Sequence, residues 1–178
     1  QLHRRQRQMC IRDRLTTNNK NWGLFSSLSI SDYGDIIMGK NRKHGYDNWG
    51  LVNQFSENNR ENYFEDPSQN TDPNVQRNTA YDQKDFITKI NLKLKNQSNL
   101  ILNFQISKSS KINRFDKLSE LDSTQNLKFA EWYYGPQKRI LASSILNLSP
   151  SSIFDKGRFI ASYQAIGESR HKLSLIHI

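Results

Sequence analysis

DFITKINLKLKNQSNLILNFQIS, residues 85–107, alternates with period two along two runs separated by Asn96-Gln97-Ser98. In the first run Phe86, Ile90, Leu92 and Leu94 take even positions, with Thr88 among them, while Lys89, Asn91, Lys93 and Lys95 take odd ones. In the second, Leu100, Leu102, Phe104 and Ile106 oppose Asn103, Gln105 and Ser107. Side chains of a strand point alternately to opposite faces, so each run predicts a strand with one apolar and one polar face. The short polar link suits a tight hairpin. Ile87 and Ile101 interrupt the pattern by placing apolar groups on the polar face.

Two environments select such a pattern. One is a soluble sheet with its apolar face on a core and its polar face in water. The other is a membrane barrel, whose apolar face meets lipid and whose polar face meets a wet lumen. Each run has about the ten residues that a tilted strand needs to cross a bilayer.

Working outward, Trp22–Tyr33 (WGLFSSLSISDY) is a further strand candidate. Trp22, Leu24, Leu28 and Ile30 share one face and Ser27, Ser29 and Ser31 the other. Trp22 and Tyr33 at its ends suit the two membrane interfaces, where amphipathic rings settle. Lys138–Ser149 (KRILASSILNLS) places Ile140, Ala142, Leu146 and Leu148 together, and Arg158–Glu168 (RFIASYQAIGE) places Phe159, Ala161, Tyr163 and Ala165 together. Pro150-Ser151-Ser152 is the turn between them.

The remaining segments are long and polar. Gly34–Lys84 is rich in Asn, Asp, Gly and Pro, yet it carries Tyr46, Trp49, Phe55, Tyr63, Phe64 and Tyr81. Disordered segments are poor in aromatics, so it reads as an ordered loop with recognition potential. Lys108–Gln137 is the second long connection, with a helical turn expected near 116–122 and the cluster Trp132-Tyr133-Tyr134 before Gly135-Pro136. Long loops thus alternate with short turns along five strands, the asymmetry of bacterial outer-membrane barrels. The expected fold is all-β, an antiparallel up-and-down meander from a transmembrane barrel with two long extracellular loops.

Composition agrees with a wet architecture. Apolar residues make up 35% of the 178, and mean hydropathy is -0.82. The formal charge is +9, but residues 1–14, QLHRRQRQMCIRDR, hold five arginines against one aspartate and leave +5 without them. That segment and LSLIHI at 173–178 resemble translated sequencing-adaptor sequence, and neither is expected to contact the sheet. Setting them aside leaves 15–172 as a partial barrel domain. It removes Cys10, and with it any disulfide or thiol nucleophile, and it removes the arginine cluster that would suggest a nucleic-acid arm. No phosphate loop, zinc signature or nucleophile elbow occurs, so an enzyme is not expected.

Five stretches carry a family likeness in order: SDYGDIIMGKNRKHGYDNWGL at 31–51, DPNVQRNTAYDQKDF at 72–86, SKSSKINRFDKLSEL at 107–121, KFAEWYYGPQKRILASS at 128–144 and YQAIGESRH at 163–171. Across residues 22–172 the chain resembles TonB-dependent outer-membrane receptors, the Gram-negative uptake family for iron complexes, haem and cobalamin. The resemblance implies a fragment of the barrel's N-terminal half, located in the outer membrane. It implies outer-membrane lipid and an iron complex or other small nutrient (siderophore or haem) as partners, and no nucleic acid. The inner-membrane TonB complex would be reached through a plug that is not in this sequence. Binding and energised import need no covalent chemistry and no resident cofactor. The rival class is a soluble β-sandwich binding carbohydrate or protein through its loops.

Candidate ligand contacts lie in the two loops. His44 and Tyr46 are residue types that serve as haem axial ligands. Trp132, Tyr133 and Tyr134 offer large contact area with polar handles, against the plainer role of packing the second loop. Arg114 and Arg139 suit a carboxylate-bearing ligand, against pairing with a loop acid. Asp66, Asn70, Asp72 and Asn74 form a loose oxygen cluster whose spacing fits no established calcium loop, and Asp116, Glu120 and Asp122 read as solvated charge. Phe86, Ile90, Leu92, Leu94, Leu100, Leu102, Phe104 and Ile106 are expected to face lipid.

Overall fold

A computed structural model describes residues 5–41, 45–58 and 62–175. Among the described residues, twelve strands, one short α-helix and a 3-10 turn at Lys95–Gln97 follow one another. They are β1 Arg5–Asn18, β2 Trp22–Ile37, β3 Gln54–Phe55, β4 Ser68–Gln69, β5 Val75–Gln76, β6 Tyr81–Lys93, β7 Asn99–Ser109, β8 Ile112–Asn113, α1 Phe115–Leu118, β9 Phe129–Tyr134, β10 Lys138–Leu148, β11 Gly157–Gly167 and β12 Arg170–Ser174. The main sheet runs β1-β2-β6-β7-β10-β11, every neighbour antiparallel, with β5 added beside the end of β2. The five expected strands therefore pair in chain order, and the sheet stays open.

Register explains the pattern. Directly opposed residues share a face, and Leu24 meets Ile90, Ile90 meets Leu102, Leu102 meets Ser144 and Ser144 meets Ala161. Two residues along, Thr88, Phe104, Ala142 and Tyr163 form the next row. A slip of one residue would turn every side chain to the other face, so the alternation fixes the pairing. The opposite face is a polar ladder. Asn147 Nδ2 donates to Asn99 Oδ1 at 2.9 Å, Asn99 Nδ2 to Asn91 Oδ1 at 3.1 Å, and Asn103 Nδ2 to Ser143 Oγ at 3.3 Å. Lys89 and Lys93 are exposed on that face.

The β6–β7 turn keeps Asn96 and Gln97 at φ 56° and 60°, the left-handed region that Asn tolerates best among side-chain-bearing residues. The β10–β11 connection also falls at this end of the sheet, while the two long loops leave the other.

The apolar face of the sheet is uncovered. None of its residues from Leu24 through Phe86, Leu102, Phe104, Ala142 and Tyr163 is buried. The buried apolar residues among those described are Met38, Leu118, Leu127, Phe129, Ala130, Trp132 and Tyr133. All seven lie in the loop regions, so the packed core is there and not on the sheet.

Three expectations change. Residues 5–14 do contact the sheet, while 1–4 lie outside the described residues: β1 pairs with β2 from Arg5–Ile37 to Asn18–Gly23, and its strand crosses the expected boundary between residues 14 and 15. Ile11 lies opposite Ile30, while Arg12 and Arg14 lie opposite Ser29 and Ser27. The segment satisfies the hydrogen-bonding edge of β2, which would otherwise stand open, and continues the alternation apart from Asp13, which lies opposite Leu28 on the apolar face. At the other end, Leu173 and Ser174 belong to β12 and pair with Glu131 and Phe129 of β9. Finally, Tyr33 stacks on Tyr81 at 4.6 Å between centroids on the polar face, because an odd residue cannot share the side of Trp22.

Candidate functional site

The second loop folds into a small module. β9 is central, with β8 on one side and β12 on the other. Within Phe129–Tyr134 the parity of a strand divides the aromatics: Trp132 and Tyr134 point one way, Tyr133 and Glu131 the other. Trp132 meets Phe129 edge-on at 4.7 Å between centroids and joins Leu118 of α1 in a buried cluster. A helical turn expected at 116–122 is found one residue earlier and shorter, at Phe115–Leu118.

Cations surround Trp132. Arg114, Lys117 and Lys172 lie 5.3, 5.8 and 5.1 Å from its ring centroid, within reach of the ring's negative face. Arg114 also forks onto Asp116, Nε to Oδ1 at 3.0 Å and Nη2 to Oδ2 at 3.0 Å, and its Nη1 lies 3.4 Å from the Tyr134 hydroxyl. The Asp116 hydrogen bond raises the Arg114 pKa and keeps the guanidinium charged. An anionic ligand here would have to displace Asp116.

On the other face, Glu131 is buried and receives His171 Nε2 at 3.1 Å. Tyr133 stacks on that imidazole at 4.8 Å. Tyr63, from the first loop, places its hydroxyl 3.5 Å from Glu131 Oε1, and Leu127 N donates to Glu65 O at 2.7 Å. The two long loops therefore meet at Glu131.

Acid groups of the module are held by donors. Glu120 accepts from Lys117 Nζ at 2.6 Å and Lys128 Nζ at 2.9 Å, which lowers its pKa to about 2. Asp122 is lowered chiefly by the Thr124 hydroxyl, with backbone help from Asn126. The first loop shows the same economy. Asn70 Nδ2 donates to the carbonyls of Val52 and Val75, each at 2.8 Å, and Asp72 closes a turn onto Asn74. These side chains are spent on loop backbone, and no metal-holding group of His, Cys, Asp or Glu occurs among the described residues.

The candidate ligand residues thus separate. Arg114, Trp132 and Tyr134 are brought together, with Trp132 and Tyr133 committed to packing and Tyr134 partly exposed at 37%. Tyr46 is exposed in the first loop, and His44 lies outside the described residues. Arg139 sits on the polar face opposite Ser107 and makes no ion pair among the described residues. Glu131, His171 and Lys172 are not singled out by sequence, and Tyr63 is marked there only as one of the first loop's aromatics. Reading AEWYY as a strand would have shown Glu131 and Tyr133 as one side of a pair of faces.

Compared with protein-family models, curated proteins and solved structures, the chain finds no match in any of the three.

Proposed function

We propose that the chain is part of the wall and loops of a TonB-dependent outer-membrane receptor, importing a scarce nutrient such as an iron complex. One observation carries this reading. An apolar face runs across five consecutive strands, none of its residues buried by the described residues, while the packed core of the described residues lies in the loops. A soluble sheet of this composition would bury that face first, because apolar burial is the largest favourable term in folding. In hydrocarbon the arrangement is at ease, because β2, β6, β7 and β10 each pair with a neighbour on both sides.

Dimensions agree. β7 and β10 have 11 residues each. At about 3.4 Å per residue and a tilt of about 40°, such a strand rises about 26 Å, close to the roughly 25 Å apolar band of outer-membrane barrels. The open sheet is the portion of a larger barrel that this chain supplies. In that setting Phe86, Ile90, Leu92, Leu100, Leu102, Phe104 and Ile106 meet lipid, and the Asn-Ser ladder faces the lumen or plug. Leu94 sits just past β6, at the turn. The loop module of Arg114, Trp132 and Tyr134 then stands at the outer mouth, where a nutrient first arrives. The role requires binding and passage without covalent chemistry.

The test is to refold the chain with and without zwitterionic detergent micelles. A wall segment is monodisperse and β-rich in micelles and self-associates in buffer. A folded monomer in buffer would overturn the reading in favour of a soluble sandwich.

A further inference from the structure

Three lysines stand in one cross-strand row on the apolar face. Lys84 of β6 is the register partner of Lys108 of β7, and Lys108 is the partner of Lys138 of β10. Their parity is that of Phe86, Ile106 and Ile140, the next apolar row. All three are exposed, and none forms an ion pair among the described residues. Like charges directly opposite on neighbouring strands repel, and Asp82 with its register partner Asp32, one row further along the same face, offsets only part of the row.

The row lies at the end of the sheet from which the long loops leave. There Lys84 and Lys108 line a cavity of about 440 Å³ with Lys111, Tyr133 and Pro136, and Asp82 is the one carboxylate in its lining. Lys111 Nζ lies 5.2 Å from the Tyr133 ring centroid. Below, on the same face, small side chains at Ala142, Ser144 and Ala161 leave an apolar groove of about 570 Å³ walled by Ile90, Leu102, Phe104 and Tyr163. Four residues separate Lys84 from Thr88 at the groove's upper row, about 13 Å along the strand. The cationic pocket and the apolar groove thus share one face, with the Phe86–Ile106–Ile140 row between them on the path an acyl chain would follow.

We propose that this face binds a phosphate-bearing lipid, its phosphate among Lys84, Lys108 and Lys111 with Lys138 beside them, and its acyl chains in the groove. The proposal rests on the membrane-wall reading and names a partner for that wall. Ammonium groups at a membrane surface attract anionic headgroups, while the chains gain only if the groove is apolar and open. The two features together select an anionic amphiphile over a free anion.

The test uses the whole chain in zwitterionic detergent micelles, titrated with dioctanoyl phosphatidic acid and followed by native mass spectrometry. Saturable binding of the lipid is expected. Lys84→Gln/Lys108→Gln/Lys111→Gln weakens it on the order of 100-fold, taking about tenfold or less for each lysine near an anionic surface. The same three positions changed to Arg restore it. Lys89→Gln/Lys93→Gln, on the other face, leaves it unchanged. Glycerol phosphate competes poorly because it has no chains. Equal weakening by both Gln sets, or equal competition by glycerol phosphate, overturns the lipid site. A chain that enters micelles but shows either result keeps the wall reading and loses only this one, whereas a chain that refuses micelles loses both.

Discussion

Leu102→Arg and Asn103→Arg place the same guanidinium one residue apart on β7, on opposite faces. Leu102 lies between Ile90 and Ser144 near the middle of the apolar face. In a lipid-facing wall its replacement puts a charge near the hydrocarbon midplane, which costs about 2–4 kcal/mol. At about 1.4 kcal/mol per factor of ten, the folded population in micelles relative to unfolded falls about 30- to 700-fold. Asn103 lies on the polar face and gives up one hydrogen bond to Ser143 at 3.3 Å. That loss is worth about 0.5–1.5 kcal/mol, and the new guanidinium remains in water. Urea titration of each variant in zwitterionic micelles, with the wild-type chain alongside, measures the difference. Asymmetry of about 0.5–3.5 kcal/mol against Leu102→Arg is expected. Equal effects, or the greater loss at Asn103, would refute the assignment of faces.

Further outcomes follow from the loops. Asp35 Oδ1 accepts from Thr79 N at 2.8 Å and Ala80 N at 3.0 Å, so Asp35→Ala strands two amide donors. A local loss of about 1–3 kcal/mol is expected, read as faster hydrogen exchange at those two amides. Gly135 has φ +84°, and a Cβ there would lie 2.8 Å from Gln137 N. Gly135→Ala should therefore cost about 1–3 kcal/mol, seen as a lower urea midpoint for the loop module. Glu120 holds a pKa of about 2 against an ordinary 4.5, through Lys117 first and then Lys128. Its contribution is complete above about pH 4.5 and is lost as the pH falls toward 2. Exchange at the Lys128 amide, which donates to Glu120 O at 3.0 Å, should accelerate over that window. Glu120→Gln should flatten the response, leaving the smaller part due to Asp122.

The strands were legible because alternation is local. Leu92 and Leu100 declare their face from two neighbours on each side, and antiparallel order follows once Asn96-Gln97-Ser98 is read as a turn. The lysine row was not legible, because Lys84, Lys108 and Lys138 are far apart in sequence and meet only through the register of three strands. The loop module was half legible. The aromatic run 132–134 stood out, but its partners Arg114, His171 and Lys172 come from other elements and their contacts depend on how β9 pairs. β1 differs from expectation because its adaptor-like sequence outweighs its pattern: Ile11 and Leu15 alternate with Arg12 and Arg14, and only Asp13 breaks the apolar side.

The most direct test of the membrane-wall assignment is a nitroxide scan of β6 in micelles. Single cysteines at 88 through 93, in a Cys10→Ser background, would carry the label. Collision with oxygen, which concentrates in hydrocarbon, is compared with collision with a water-soluble nickel chelate. A wall strand gives period-two alternation, with Ile90 and Leu92 oxygen-accessible and Lys89, Asn91 and Lys93 chelate-accessible. Chelate access at both sets, or oxygen access at the lysine positions, would contradict the claim that the even face meets lipid.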